Sequence, residues 1–523
     1  MSTEDERMTR RQEMLNTDQK PTNDGLANGH DDGEIARLEK LKKQYGATWN
    51  SPNDPADPYN WPFLRKSIIG IVMSLGALVT LIGASVTAPA LDKIADDTGL
   101  DPETAQISFS IYFLGLAFGP FVIAAISEMN GRRNIWIVSN IWFILWNTLC
   151  PVGHNKGLLI AGRFLAATGA SAGNTLIGPL MADMFRAKDR GMSQAIAAFL
   201  PYLGPALGPI IGGSVSDRID WPWLFYVVSI INAVVLVVGV LAIPETYTPA
   251  LLRRKAARQQ RTDGVSVSPT KTSDLEFWPV FFSQLGTNLL RPVLILVYRP
   301  VMYIVCINLA VAFGVYTLML STFSTLWVDQ YGESEVTSSL HYITISVGIT
   351  FATQVGGRAM DRIYRHLRER DAARRGIDIT AEGKLPEGKP EYRVPYMIVP
   401  IFLLPAGLFW YGWSAQYRYK WIVVDLGAAV FAVGNFAYSQ ALAAYTLDEF
   451  GQYAASAVAG QRVLSQIFGF AFPIFAPQLY RALNYGWANS LLAFIFIAIA
   501  FPTPVCLWIW GEKLRAFGRQ RFD

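Results

Sequence analysis

An all-α polytopic membrane fold is what this chain predicts, and three observations carry it: few charges, twelve long apolar runs, and basic residues gathered in alternate loops. Of 523 residues, 51% are hydrophobic and only 16% charged, against about 25% charged in a soluble domain. Mean hydropathy is +0.25. A helix needs about 20 mostly apolar residues to cross a bilayer. Runs of that kind lie near 67–90, 105–126, 134–152, 158–181, 191–213 and 222–243, then 300–322, 336–356, 395–414, 420–444, 453–477 and 486–510. Strands of a membrane barrel alternate in polarity and are about half as long, so helices are expected throughout.

Residues 1–56 are polar, with few aromatics, and are expected to be a disordered cytoplasmic tail. They lack the short apolar core of a cleaved signal peptide, so span 1 is expected to target the chain itself. Residues 57–245 hold spans 1–6, an N-terminal six-helix bundle. A linker, 246–299, follows; it starts polar, and its later part, LEFWPVFFSQLGTNLLRPVLILVYRP, has the amphipathic pattern of a membrane-surface helix. Residues 300–511 hold the C-terminal bundle, and 512–523 form a short cytoplasmic tail.

Basic residues sort by side. Arg37, Lys40, Lys42, Lys43, Arg65 and Lys66 precede span 1, Arg132 and Arg133 follow span 2, and Arg186, Lys188 and Arg190 follow span 4. Arg253, Arg254, Lys255, Arg258 and Arg261 follow span 6; arginines are dense after span 8; Lys513, Arg515, Arg519 and Arg521 close the chain. The intervening loops are acidic or sparse, as at Asp92, Asp96, Asp97, Asp101 and Glu103. The cytoplasmic excess of Lys and Arg therefore places both termini inside, as an even number of spans requires. Two loops fit poorly: Arg418 and Lys420 fall outside, and the inner loop with Asp448 and Glu449 lacks a base. Cys150, Cys306 and Cys506 are widely separated and form no disulfide or metal pattern.

Residues 204–213 read GPALGPIIGG, with Gly204, Gly208 and Gly212 at every fourth position and Gly213 beside them. Small residues at that spacing let another helix approach closely in lipid. Pro205 and Pro209 each remove a backbone donor and bend the helix. The halves also echo one another. After span 2 come Ala124, Glu128, Gly131, Arg132 and Arg133; after span 8 come Gly357, Asp361, Arg362 and Arg365. Each copy places an acid four residues after a small residue and a base four residues after the acid. Two matching halves argue for a duplicated transporter with its cavity between them, near the bilayer midplane.

On these residues the chain resembles the major facilitator superfamily over nearly all of 57–515. The Glu128–Arg133 run is similar to that family's loop 2–3 signature, with Ala124 for its Gly and Glu128 for its Asp. Gly204–Gly213 resembles the antiporter motif of span 5 without departure, and Arg163 in GRFLAATG resembles the span 4 arginine motif. DPYNWP at 57–62, PETYTPALLRRKA at 244–256, DRIYRHL at 361–367 and GKPEYRVP at 388–395 are similar to the fungal twelve-spanner drug:H⁺ antiporter branch. The resemblance implies an inner latch made by Glu128 and its arginines, with Asp361, Arg362 and Arg365 as the second-half version. It implies antiport, and hence export, from the glycine motif.

Charges inside spans are costly and mark functional candidates. Arg163 lies near the outer end of span 4, where snorkelling is the competing role; Arg462 lies near the middle of span 11; Asp425 lies near the outer side of span 10. Span 1 has no acid before Asp92, so the proton carrier is not identified there. Asn174, Tyr202, Tyr316, Asn435 and Gln461 are candidates for the cavity wall, with interhelical bonding or packing the competing role. No phosphate-cradling G-x-x-x-x-G-K-[ST] run, no His/Cys cluster and no converging nucleophile and base occur. No enzyme, metal, cofactor or nucleic-acid role is expected. The reading is a monomeric, proton-coupled exporter of small amphipathic organic compounds in the plasma membrane, or in a vacuolar or other internal one. The alternatives are an H⁺-coupled importer and a transport-incompetent sensor of the same fold.

Overall fold

A computed structural model describes residues 24–185, 200–262, 293–375, 388–450 and 454–522, with isolated positions between 279 and 290. Twelve crossings are laid out in two bundles of six. The first bundle has α1 (Phe63–Ser85), α2 (Pro102–Asn130), α3 (Arg132–Leu149), α4 (Lys156–Met184), α5 (Gly204–Arg218) and α6 (Pro222–Ala242). The second has α7 (Pro300–Tyr331), then α8, which runs Tyr342–Phe351 and continues through a π turn into Gly357–Arg374. α9 (Val394–Gln416) and α10 (Trp421–Phe450) follow. The run Ala454–Ala500 breaks at Asn484 (φ 56°, ψ 178°), which separates α11 from α12; α12 extends into Pro502–Phe522.

Seven helical runs of the described residues are long and apolar enough on their own to cross a membrane. The other crossings are short, broken or rich in Gly, Ser and Asn, because they turn polar faces inward. On α3, for instance, Val138, Ile141 and Leu145 are exposed to the surrounding lipid, while Trp136, Asn140, Phe143 and Asn147 are buried. Asn147 Nδ2 donates to the Phe225 carbonyl at 2.7 Å and to Ser229 Oγ at 2.9 Å, which ties α3 to α6. Such bonds are what hold helices together where lipid removes the hydrophobic drive. Trp136 fills a slot left by Gly239, where any added side chain would collide with the indole.

The N-terminal segment differs from expectation. Residues 24–62 are described as folded: a helix spans Asp24–Tyr45, and the stretch after it packs on the bundle. Its polarity is used internally. Buried Asp54 accepts from the Asn50 and Ala56 amides, both at 2.9 Å, and Asp57 accepts from the Tyr59 amide and pairs with Arg37 at 3.0 Å. The Lys255 ammonium, on the helix Thr248–Thr262 after α6, donates to the Thr48 carbonyl at 2.8 Å. A polar segment that satisfies its own groups in this way needs little apolar core. Most of the amphipathic part of 246–299, together with Arg186, Lys188 and Arg190, lies outside the described residues.

Candidate functional site

The described end segments, 24–62 and 502–522, and the α2–α3 turn lie on one face of the molecule, here called the terminal face. A cavity of about 320 Å³ enters the interface between the bundles from that side. Its walls come from α2 (Leu116, Pro120, Glu128), α4 (Asn174, Pro179) and α11 (Arg462), among others. Asn174 and Arg462, both singled out in the sequence, line this cavity. Arg462 lies deep along the span yet its side chain is accessible, because it faces the cavity. Among the described residues it makes no ion pair or hydrogen bond. Glu128, exposed at the cavity mouth, is likewise unpaired among the described residues.

Aromatic rings close the cavity toward the other face. Phe113 of α2 meets Phe313 of α7 edge to face at 5.7 Å, across the two bundles, and Tyr316 meets Phe436 at 5.2 Å. Tyr316 belongs to this plug. Asn435 is buried nearby on α10 with its Oδ1 unpartnered among the described residues. Gln461 does not line the cavity; its amide donates to Thr446 of α10 and is buried. The side chain of Tyr202 lies outside the described residues.

α5 seals the face opposite the termini. A Cβ on Gly204 would stand 2.5 Å from Leu81 Cβ, and side chains at Gly208 and Gly212 would strike Ser85 and Val86. Those three glycines therefore seat α5 on α1. Gly213, one residue on, points about 100° around the helix and meets the other bundle, where a Cβ would fall 2.6 Å from the Glu335 carbonyl. Pro209 sits inside the helix, its missing donor loosening the turn between the two contacts. Beside this contact Lys93 pairs with Glu335 at 3.0 Å, and Ser216 donates to the same carboxylate. Gln478 of α11 donates to Glu103 of α2 at 3.2 Å. Among the described residues, these polar contacts join the bundles on this face, while on the other the cavity lies between them.

The charged echo on the terminal face is wired differently from the local pairing that the spacing suggested. Arg132 pairs with Asp183 at the end of α4 (3.6 Å) and donates to Ser127 Oγ at 2.7 Å. Its amide, at the start of α3, is capped by Glu245 of the PETYTP stretch at 2.9 Å. Glu245 occupies the space beside Gly131, whose φ of +96° also demands glycine. Arg133 donates to the Val240 carbonyl at 2.8 Å. In the second bundle Asp361 pairs with Arg393, at the start of α9, at 3.0 Å, not with Arg362 or Arg365, which are exposed. Arg393 also holds Asp448 at the end of α10 at 2.8 Å. Arg132–Asp183 and Arg393–Asp448 occupy equivalent positions in the two bundles. Arg515 holds Glu391 at 2.7 Å and Glu449 at 3.2 Å. The loop with Asp448 and Glu449, which lacks a base in sequence, obtains two from distant segments. Asp183, Glu245, Arg393 and Arg515 were missed by the echo because their partners lie on other helices; GKPEYRVP and PETYTP were the only signals.

Arg163 does not snorkel. It is 1% exposed, and its guanidinium donates to the carbonyls of Gly83 (2.8 Å), Phe109 (3.1 Å) and Ser108 (3.2 Å). It also lies 4.7 Å from the Tyr112 ring. The arginine thus joins α4 to α1 and α2. Asp425 is buried against His341, whose ring nitrogen is 2.8 Å from Oδ2.

Two aligned bundles with a cavity between them, closed on one face by a glycine-lined helix, define a membrane transporter. The chain belongs to the Major Facilitator Superfamily, whose family model matches residues 73–473; this is a transporter family, and the chain is no enzyme. It is 36% identical over 473 residues to the efflux pump radE of Floropilus chiversii, covering 90% of this chain and 85% of that protein. It is 35% identical over 477 residues to the efflux pump vrtL of Penicillium aethiopicum, with 90% of each covered. In fold it is similar to the xylose transporter XylE of E. coli in a partially occluded inward open conformation. That match has a TM-score of 0.58 at 14% identity, over 85% of this chain and 97% of that one.

Proposed function

We propose that this protein is a proton-driven exporter of small amphipathic organic compounds, loaded from the cytoplasm through the cavity between the bundles. The carrying observation is that cavity: mostly apolar walls with Asn174, Glu128 and an Arg462 that has no partner among the described residues, open on one face while the opposite face is sealed. Apolar walls with a few polar groups suit a bulky amphipathic ligand. The efflux names of the relatives and the intact Gly204–Gly213 run favour export over import. The terminal face is read as cytoplasmic from its Lys and Arg excess, with residues 57–245 and 300–511 as the two moving bundles and a monomer as the working unit. Plasma membrane is the proposed location. On closing the cavity, α2 and α11 approach, and Glu128 and Arg462 are the opposite charges available there to latch it.

Purified protein in liposomes with the terminal face inward tests this. Efflux of amphipathic dyes or drugs should rise when the outside is made acidic and fall when a protonophore collapses the gradient. Uptake in place of efflux overturns the direction, and gradient-independent efflux overturns the coupling.

A further inference from the structure

We propose that Glu333, His341 and Asp425 form a proton relay on the face opposite the chain termini, with Asp425 as its buried end. The inference rests on the proton-coupled reading above and names the groups that would carry the proton.

His341 lies between the short helix Glu335–Leu340 and α8. Its Nδ1 is 2.8 Å from Asp425 Oδ2 and its Nε2 is 3.0 Å from Glu333 Oε2. A neutral imidazole has one N–H and one lone pair. With a carboxylate oxygen at each ring nitrogen, the neutral ring would set its lone pair against an oxyanion. Both contacts become hydrogen bonds only when the trio holds one further proton, on the ring or on either carboxyl group. The surroundings suit a charged ring: His341 stacks on the Trp327 indole at 3.8 Å and 9°, and an aromatic face attracts a cation.

The three groups are graded from solvent inward. The Glu333 side chain is 21% exposed, His341 9% and Asp425 6%. A cleft of about 390 Å³ opens on them, bordered by Thr337 and Trp421. Asp425 Oδ1 is buried without a hydrogen-bond partner among the described residues, so the innermost carboxylate has an unfilled position for a proton or a donor. The other charged neighbour is Arg418 of the α9–α10 turn, which acts on Tyr331 together with Glu333 and Asp425. Tyr331 itself donates to the Tyr419 carbonyl at 2.8 Å.

The transfer needs no co-reactant. Water in the cleft delivers a proton to Glu333, which passes it to Nε2 as the ring becomes imidazolium. The Nδ1 proton then moves to Asp425 Oδ2, leaving the ring neutral with its proton on Nε2. One proton has moved from water to Asp425. The relay also touches the seal between bundles: Glu333 is two residues from Glu335, which Lys93 and Ser216 of the other bundle hold. Loading the trio changes the charge that ties α7 and α10 to the segment carrying that seal, and a group bound differently in two conformations shifts their balance.

The test uses the full chain in liposomes with isotope-labelled histidine. The chain has only 4 histidines, so the His341 signal is assigned by its loss in His341→Gln. The expected result is an imidazolium that persists above the ordinary histidine range. Glu333→Gln and Asp425→Asn should each lower its deprotonation midpoint by about one pH unit, a tenfold loss of proton affinity. A ring that stays neutral through mildly acidic pH, or a midpoint unmoved by both substitutions, overturns the relay. Rhodamine 6G efflux is followed in parallel. Gradient stimulation should be present in the wild type and lost in His341→Gln and Asp425→Asn, while Glu333→Gln, nearest solvent, serves as the variant least prone to misfold. Stimulation retained in all three overturns the relay alone. Wild-type efflux indifferent to the gradient overturns the proton-coupled reading, and the histidine spectrum then decides the relay.

Discussion

Arg163 and Arg462 are two arginines at depth with opposite circumstances. Each of the three Arg163 guanidinium nitrogens donates to a carbonyl of α1 or α2, so its role is to hold those helices to α4. Truncation removes three charge-assisted hydrogen bonds between helices, each worth about 1.5–3 kcal/mol, and leaves a cavity where the buried side chain was. Arg163→Ala should therefore lower the thermal midpoint sharply and reduce the yield of folded protein, read by a thermal melt in detergent. Arg462 faces the cavity without a partner among the described residues. Arg462→Ala should leave the melt unchanged and abolish dye efflux; normal efflux removes Arg462 from the mechanism. Sequence alone put Arg462 near midspan and Arg163 near the outer end, with snorkelling as the competing role. It could not assign their surroundings, because whether a guanidinium meets carbonyls or a cavity depends on helices far away in the chain.

At the scale of the element, α5 decides the conformation. Its glycines at 204, 208 and 212 set it on α1, and Gly213 sets it on the second bundle. The spacing was legible in sequence, since three residues four apart must share a face. That Gly213 serves a second partner was not, since the partner is the Glu335 segment of the other half. Gly213→Val should part the bundles on that face: paired cysteines introduced there should crosslink less, and efflux should fall while the protein still folds. Gly208→Val should instead damage the first bundle and lower its thermal midpoint, since Ser85 and Ile82 of α1 stand against it. A larger effect on crosslinking than on stability at Gly208 would contradict this division.

Over the whole molecule, the proposed export cycle requires the two bundles to rock on contacts that exist on one face at a time. Here the bridging contacts of the described residues include Lys93–Glu335, Ser216–Glu335 and Gln478–Glu103. The Lys93–Glu335 pair is partly exposed, so its worth is about 1 kcal/mol or less. That suits a contact which must break in each cycle. Lys93→Gln should shift the population away from this conformation by at most about fivefold, measured by accessibility of cysteines in the cavity; Lys93→Glu should shift it further, and adding Glu335→Lys should restore it. Arg132–Asp183 and Arg393–Asp448 mark the twofold relation on the terminal face. Each joins helices within one bundle, which keeps the bundles rigid while they move.

The sequence by itself determined the membrane class, the twelve crossings, the two halves and the close-packing face of α5. All of these follow from local composition and periodicity, which bilayer thickness and helix geometry convert directly into structure. Only the tertiary structure decided which acid answers which base. Asp361 turned to Arg393, Arg132 to Asp183, and His341 came between Glu333 and Asp425. The physical reason is the same in each case. A buried or half-buried charge takes whatever partner packing brings within about 3–4 Å, and packing joins segments that no spacing rule connects.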